Sequence, residues 1–324
     1  MIVSKTPLRI SFFGGGSDFP EYFNKNQSLV IGSTINKFVY ITINNHINSD
    51  NQKIKIFYKN NEFVNNIRSI RHKVIKEIFI KEKINETIEV HIAADLPSFS
   101  GLGTSSAFTV GFKNLINAYK EERITKEQLA YYSINLERNI LKETVGFQDQ
   151  IHASYGGFNA IYFKSKDKFF IKKINNFEKI KELENNLLLV FTGITRRAND
   201  IEKEKFKNMS IKFNFLDKIN LIAKRSLQIF ESRSNLDLFG ELLDETWNIK
   251  KKLSNNVTNP FIDKIYNLAK NSGAIGGKLL GAGAGGFILF YVPQKSKKSV
   301  IKALCKYKII DFNFSPKGTE IIRI

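Results

Sequence analysis

Residues 96–107, LPSFSGLGTSSA, constrain the chain more than any other stretch. They follow an alternating run in which Ile88, Val90, Ile92 and Ala94 share one face, as a half-buried strand requires. They lead into Phe108, Phe112, Leu115 and Tyr119, which fall at helical spacing. A strand that ends in a turn rich in glycine and hydroxyls, and then opens a helix, is an anion cradle. Gly101 and Gly103 let backbone N–H groups turn inward, and the helix start adds partial positive charge. The same residues also read as a capped helix after a flexible turn, because Ser and Thr are ordinary caps.

Two further glycine turns accompany it. Ile2 to Phe13 reads as an apolar strand that runs into Gly14-Gly15-Gly16, and residues 35–43 as a second strand. Far along the chain, KLLGAGAGGF (278–287) feeds the apolar run FILFYV. Gly281, Gly283 and Gly286 satisfy the spacing of a dinucleotide fingerprint. That fingerprint must follow the first strand and open a helix, whereas this turn precedes a strand near the end. A Walker-type loop is absent as well: Lys278 follows Gly277, but Ser272 stands where glycine is required.

Between these turns, Thr125 and Gln128 form a capping-box pattern, and Leu129, Tyr132, Leu136 and Ile140 continue as a helical stripe that ends near Gly146. Gly156-Gly157 leads into a strand near 158–163, and the lysine-rich segment 164–186 reads as a domain crossing. The second half offers a strand from Leu187 to Thr192 and helices near 211–232 and 235–253. A further helix is capped by Asn259-Pro260 and stopped at Gly273. Mixed strands and helices in both halves predict two α+β domains, residues 1–184 and 185–324.

The 324 residues are ample for two domains, and the single cysteine, Cys305, leaves no intrachain disulfide. No run approaches the roughly 18 apolar residues of a membrane span, and the start lacks a leader pattern. The expectation is a cytoplasmic protein without a membrane partner. A net charge of +19 invites a nucleic-acid reading, but the lysines are scattered among Asn and Ile, and no RNP-like, zinc-finger or basic-region motif occurs. No nucleic-acid partner is expected; positive potential still draws small anions such as ATP and sugar phosphates. His46, His72, His91 and His152 show no metal-ligand spacing.

Pro97 to Ala107 resembles the second signature of the galactokinase, homoserine kinase, mevalonate kinase and phosphomevalonate kinase (GHMP) family, Pro-x-x-x-Gly-Leu-Gly-Ser/Thr-Ser-Ala, with one extra residue because Ser106 follows Ser105. Residues 7–18, PLRISFFGGGSD, look like its first signature, and the 278–287 turn is similar to its third. The resemblance implies a two-domain GHMP kinase fold: a ribosomal protein S5 domain 2-like N-terminal domain and a ferredoxin-like C-terminal domain, with the site in the cleft between them. It implies ATP and Mg²⁺, and transfer of the γ-phosphate to a hydroxyl.

The resemblance also assigns residues. Pro97, Ser98, Ser100, Gly101, Leu102, Gly103, Thr104, Ser105 and Ser106 would hold the nucleotide. The metal-binding hydroxyl falls on Ser105 or Ser106 by register, with Ser106 preferred. Its companion is Glu137, in an apolar line with Ala130, Ile134 and Leu141, where a carboxylate needs either a metal or a lysine partner. Gly146-Phe147-Gln148-Asp149-Gln150 resembles the family's Gly-x-x-Asp-Gln/Asn element, making Asp149 the catalytic carboxylate with Arg9 beside it. Turn aspartates are the plain alternative for Asp149 and Asp18.

Gly15, Gly16, Ser17, Asp18, Gly157, Gly193, Arg196, Arg197 and Gly283 would meet the acceptor; Arg196 and Arg197 offer phosphate a forked donor. Galactokinase-like members carry an acid and a histidine where Gly15 and Gly16 stand. The triple glycine instead resembles the branch that phosphorylates fucose-type and heptose sugars at the anomeric carbon. The implied acceptor is heptose 7-phosphate, on a route to surface polysaccharide. The alternatives are an unphosphorylated fucose-type sugar and a non-catalytic sugar- and nucleotide-binding regulator, and a homodimer is left open.

Overall fold

The computed structural model describes residues 1–46, 52–195, 209–252 and 256–324. The α+β expectation is what it shows, as two sheets with helices packed on them. The first sheet is built on β1 (Ile2–Phe13) and the long β2 (Ser28–Asn45), paired antiparallel. The later half of β2 pairs with β5 (Ile88–Ala94), and its earlier half with β6 (Phe158–Lys164). β3 (Ile54–Phe57) and β4 (Glu62–Val64) extend one edge, and β7 (Lys168–Lys173) hangs on β6.

The β2 strand starts earlier than the 35–43 expectation because Ser28 to Ser33 find a partner in β6 and are buried. The lysine-rich segment 164–186 is likewise not a bare crossing. It contains β7 and helix α6 (Phe177–Asn186), with Phe169 and Ile171 packed on the cluster around Phe23 and Phe163; its lysines are exposed except Lys179, which donates to the carbonyls of Ile229, Ser232 and Ser234.

Against the first sheet lie α3 (Thr104–Tyr119), α4 (Lys126–Asn135) and α5 (Gln148–Tyr155), after the short α1 (Pro20–Phe23) and α2 (Lys73–Lys81). The Thr125 capping box forms as read: the hydroxyl accepts from the Gln128 N–H and the Gln128 side chain answers the Thr125 N–H. The helix does not run on to Gly146. Residues Leu136–Ile140 form a widened π turn, in which the Leu141 N–H reaches the Leu136 carbonyl at 2.9 Å. The turn resets the phase of the stripe, so Ile140 faces solvent while Glu137 is 1% exposed.

The second sheet orders β11 (Lys308–Ile310), β8 (Leu187–Phe191), β10 (Phe287–Tyr291) and β9 (Gly276–Leu279), all antiparallel. Helix α7 (Met209–Glu231) packs on β1 and β2 of the first sheet and on α8 (Asp237–Lys251), and α8, α9 (Pro260–Asn271) and α10 (Gln294–Ala303) accompany the second sheet. Asn259 caps α9 as read, accepting from the Ile262 N–H at 3.0 Å. The chain then returns to the first sheet, where β12 (Glu320–Arg323) pairs with β1.

One apolar core joins the two sheets. Phe12 stacks on Phe158 and meets Phe239 of α8 edge-on, each at 5.3 Å between ring centroids. The joint holds the ends of β1 and β9 and the side of α8 at fixed positions around a cleft. No described helix is long and apolar enough to cross a membrane.

Candidate functional site

The three glycine turns, remote in sequence, meet at that cleft. Residues lining it include Gly15 and Gly16 from the first turn, Ser100 to Ser106 except Leu102 from the second, and Gly281 to Gly285 except Ala284 from the third. The second and third turns touch backbone to backbone. The Phe287 N–H donates to the Ser100 carbonyl at 3.2 Å, and a Cβ on Gly101 would lie 2.5 Å from the Leu280 carbonyl oxygen. Gly101 also has φ +87°. Gly101→Ala therefore meets both a clash and a left-handed backbone, and is expected to destabilise the protein by about 2 kcal/mol or more. An unchanged thermal midpoint would contradict this packing.

The start of α3 faces the cleft with an anion-binding character. Its N-cap is Gly103, at φ +74°, and no side chain caps the first turn. Of the two readings of this segment, the capped helix is the one the geometry does not supply. Thr104 and Ser106 are buried while Ser105 is exposed. Pro97 and Ser98 are exposed outside the cleft, Ser100 donates to the Pro97 carbonyl at 2.6 Å, and Leu102 is a core residue whose carbonyl accepts from the Arg9 N–H at 3.0 Å.

Asp149 lies in the first turn of α5, where a carboxylate suits the helix dipole. Arg9 grips it with two parallel bonds, Nε to Oδ1 at 2.7 Å and Nη2 to Oδ2 at 2.6 Å. The remaining guanidinium nitrogen, Nη1, donates to the Gly101 carbonyl at 2.6 Å. One arginine thus ties the carboxylate to the second glycine turn. The pair is strong because both partners are charged and the fork geometry matches. Asp149 keeps a quarter of its side chain open to the cleft, whereas Arg9 keeps 8%.

Asp18 sits beside them, 1% exposed. Its Oδ1 accepts from the Gly16 N–H at 2.9 Å and its Oδ2 from the Gln148 N–H at 3.2 Å. Burial, together with the nearby Asp149 charge, pushes its carboxyl up to about 6. Gly146 is required here: a Cβ would stand 1.9 Å from Asp18 Oδ2. The glycine of the 146–150 element therefore makes room for the acid of the first turn.

Glu137 closes the back of the site behind Ser106. Its Oε2 accepts from Ser106 Oγ at 2.9 Å and from Gln150 Nε2 at 2.5 Å. Its Oε1 has no hydrogen bond of good geometry, with the Thr109 hydroxyl as the polar group nearby. No lysine pairs with it among the described residues. Burial pushes its carboxyl up to about 7. An orphaned carboxylate oxygen beside a serine hydroxyl suits a hard cation that takes few protein oxygens. Among the described residues no group of three or more His, Cys, Asp or Glu could hold a metal. A cation here would lean on phosphate oxygens as well.

Some residues expected at the acceptor do not reach the cleft. Gly157 is buried elsewhere, its N–H shared between Thr34 Oγ1 at 2.8 Å and the Ser315 carbonyl at 3.0 Å, so its peptide group serves the fold. Ser17 spends its hydroxyl on the Gly14 carbonyl at 2.8 Å and shapes the first turn from behind. Gly193 is exposed beside the third turn without lining the cleft. Arg196 and Arg197 lie outside the described residues. Conversely, Ser11, Thr246, Lys250 and Lys278 line the cleft without having been expected there. Lys278 and Ser11 carried a sequence signal, Lys278 as the residue that opens the third turn and Ser11 as part of the 7–18 signature; Thr246 and Lys250 carried none.

The GHMP kinases N terminal domain matches residues 69–157, and the GHMP kinases C terminal domain matches residues 227–310. The chain is 32% identical over 345 residues to D-glycero-alpha-D-manno-heptose 7-phosphate kinase of Campylobacter jejuni, covering 100% of this chain and 99% of that protein. It is 25% identical over 333 residues to the bifunctional fucokinase/GDP-fucose pyrophosphorylase of Arabidopsis thaliana, covering 91% of this chain and 30% of that one. A crystal structure of a D-glycero-D-manno-heptose 1-phosphate kinase from Bacteriodes thetaiotaomicron shares the fold, with a TM-score of 0.81 at 24% identity over 100% of this chain and 99% of that one. With both domains matched and a relative aligned end to end, the chain belongs to the GHMP kinase family of ATP-dependent kinases.

Proposed function

We propose that the protein transfers the γ-phosphate of ATP, with Mg²⁺, to the anomeric hydroxyl of D-glycero-D-manno-heptose 7-phosphate, giving the 1,7-bisphosphate in the cytoplasm. The observation that carries the chemistry is the Arg9–Asp149 fork tied to Gly101, in one cleft with the uncapped start of α3. The choice of sugar is supported by the full-length likeness to a heptose 7-phosphate kinase and by the open Gly15-Gly16 turn.

The triphosphate would lie on the N–H groups that open α3, which favour anions. Asp18 would accept a sugar hydroxyl and so orient the ring. The anomeric oxygen bonds to the γ-phosphorus as the bridge to the β-phosphate breaks and ADP leaves. The proton of that hydroxyl passes to Asp149. Arg9 keeps the carboxylate in place. Ser106 and Glu137 would hold the magnesium ion, which supplies charge neutralisation at the β- and γ-oxygens.

Comparing ATP consumption on heptose 7-phosphate, the free heptose and L-fucose tests this reading. The 7-phosphate should lead in kcat/KM by about 10² or more, because a site built for a charged group rejects an analogue lacking it. Equal or better use of a free sugar would move the assignment to a fucose-type kinase, and no turnover on any of them would favour the regulatory reading.

A further inference from the structure

The glycines at 14, 15 and 16 stand together for different reasons. Gly14 and Gly16 hold left-handed backbone, at φ +83° and +99°. Gly15 does not, so its backbone makes no demand for glycine. Among the described residues, a Cβ at Gly15 would meet two polar side-chain atoms, Ser11 Oγ at 3.3 Å and Gln148 Nε2 at 3.6 Å. The missing side chain therefore leaves a notch in the cleft wall, between a hydroxyl and an amide.

Both groups are buried and neither is fully used. Ser11 and Gln148 are each 8% exposed and line the cleft. Among the described residues, Ser11 Oγ and Gln148 Oε1 have no hydrogen-bond partner. A buried polar atom in that state costs free energy until a ligand supplies its partner. The main chain of Gln148 is already committed, its N–H donating to Asp18 Oδ2 at 3.2 Å. Gln148 is thus tied to Asp18 by that bond and to Asp149 by the chain.

The chemistry of the notch selects its ligand. A hydroxyl and a carboxamide each donate and accept, so they pair best with a group that does both. A sugar hydroxyl is such a group, whereas a phosphate dianion has no proton to give to Gln148 Oε1. Leu216 and Ile219 of α7 line the same cleft, with Leu216 Cδ2 3.4 Å from where a Cβ on Gly16 would stand. A polar notch beside an apolar wall suits a ring with hydroxyls on its rim and C–H groups on its faces.

We infer that Ser11 and Gln148 are specificity residues for the acceptor, receiving one of its ring hydroxyls in the notch that Gly15 leaves open. This rests on the sugar kinase reading above and adds to it two residues that choose the sugar.

The test is a calorimetric titration of heptose 7-phosphate, the free heptose and L-fucose into protein saturated with a non-hydrolysable ATP analogue and Mg²⁺. Ser11→Ala, Gln148→Leu and Gly15→Ala should each weaken binding of the preferred sugar by about tenfold, the scale of one buried hydrogen bond. Affinity for the analogue should hold. Thermal midpoints of Ser11→Ala and Gln148→Leu should not fall, because Ser11 Oγ and Gln148 Oε1 lack partners in the free protein. Analogues of the preferred sugar that each lack one ring hydroxyl then find the partner. One of them should bind the parent about tenfold more weakly than the intact sugar, yet bind Gln148→Leu equally well.

Unchanged sugar affinity in all three variants overturns the inference, as does a parent that binds none of the three sugars. Lost affinity for the ATP analogue with sugar binding unmoved also overturns it, by giving these groups to the nucleotide. So do equal losses for parent and Gln148→Leu on every deoxy analogue, the mark of a structural role. If sugar binding weakens as expected but the parent turns over none of the sugars, the notch stands and the kinase reading fails.

Discussion

Asp149→Asn is expected to lower kcat by about 10² to 10⁴ while the affinity for ATP stays near that of the parent, the range for loss of a positioned general base. The substitution keeps size and shape but removes the atom that takes the proton. It also sets an amide against the Arg9 fork. An amide offers one acceptor oxygen where the carboxylate offered two, so one of the 2.7 and 2.6 Å bonds must be lost. Arg9 keeps its bond to the Gly101 carbonyl, so the second glycine turn and the nucleotide surface should remain in place.

That separation makes the result diagnostic. A residue that merely held the turn would change ATP binding and thermal stability together with kcat. A base changes kcat and kcat/KM and spares nucleotide affinity. ADP release assays and calorimetry with ATP in the absence of sugar measure the two independently. Turnover equal to the parent would remove Asp149 from the chemistry and leave Asp18 as the remaining carboxylate among the described residues that line the cleft.

Much of this arrangement was legible because its determinants are local. Strand β1 was visible from Ile2 to Phe13 as an apolar run. The capping residues Thr125 and Asn259 stand where side chain and backbone N–H lie within three residues. The convergence of the glycine turns came from the family resemblance and not from any spacing. Its physical ground, the Gly101–Leu280 approach, joins residues nearly 180 apart and leaves no periodic trace. The π turn at 136–140 was missed because a widened hydrogen-bond ring has no residue signature, although it decides that Glu137 faces Ser106. Thr246 and Lys250 read as ordinary positions of an amphipathic helix. Gly157 shows the opposite error, a glycine beside a strand whose N–H was already committed to Thr34 and Ser315. Strand β12, pairing with β1 from the far end of the chain, likewise depends on contacts that no window of sequence contains.

Glu137→Gln should uncouple two properties that a structural carboxylate would keep together. The folded-state carboxyl is raised by burial to about 7 from the usual 4.5. Between those values the folded protein keeps a proton that the unfolded chain has released. Stability of the free protein therefore falls as pH rises through this window, and above it the buried charge costs on the order of 3 kcal/mol. The glutamine keeps an acceptor for Ser106 and Gln150 and carries no charge. Its thermal midpoint should exceed the parent's at pH 8, and the gap should close toward pH 5. Magnesium-dependent ATP binding should move the other way, with the ion's tightening of nucleotide affinity reduced about tenfold or more, since metal ligation needs the charged oxygen. Bound nucleotide and metal stabilise the folded state by mass action, so the order of midpoints should invert once Mg²⁺ and ATP are saturating for the parent. Equal magnesium titrations for variant and parent would deny Glu137 its place beside the metal. A variant less stable at every pH would instead make it a structural acid held by Ser106 and Gln150.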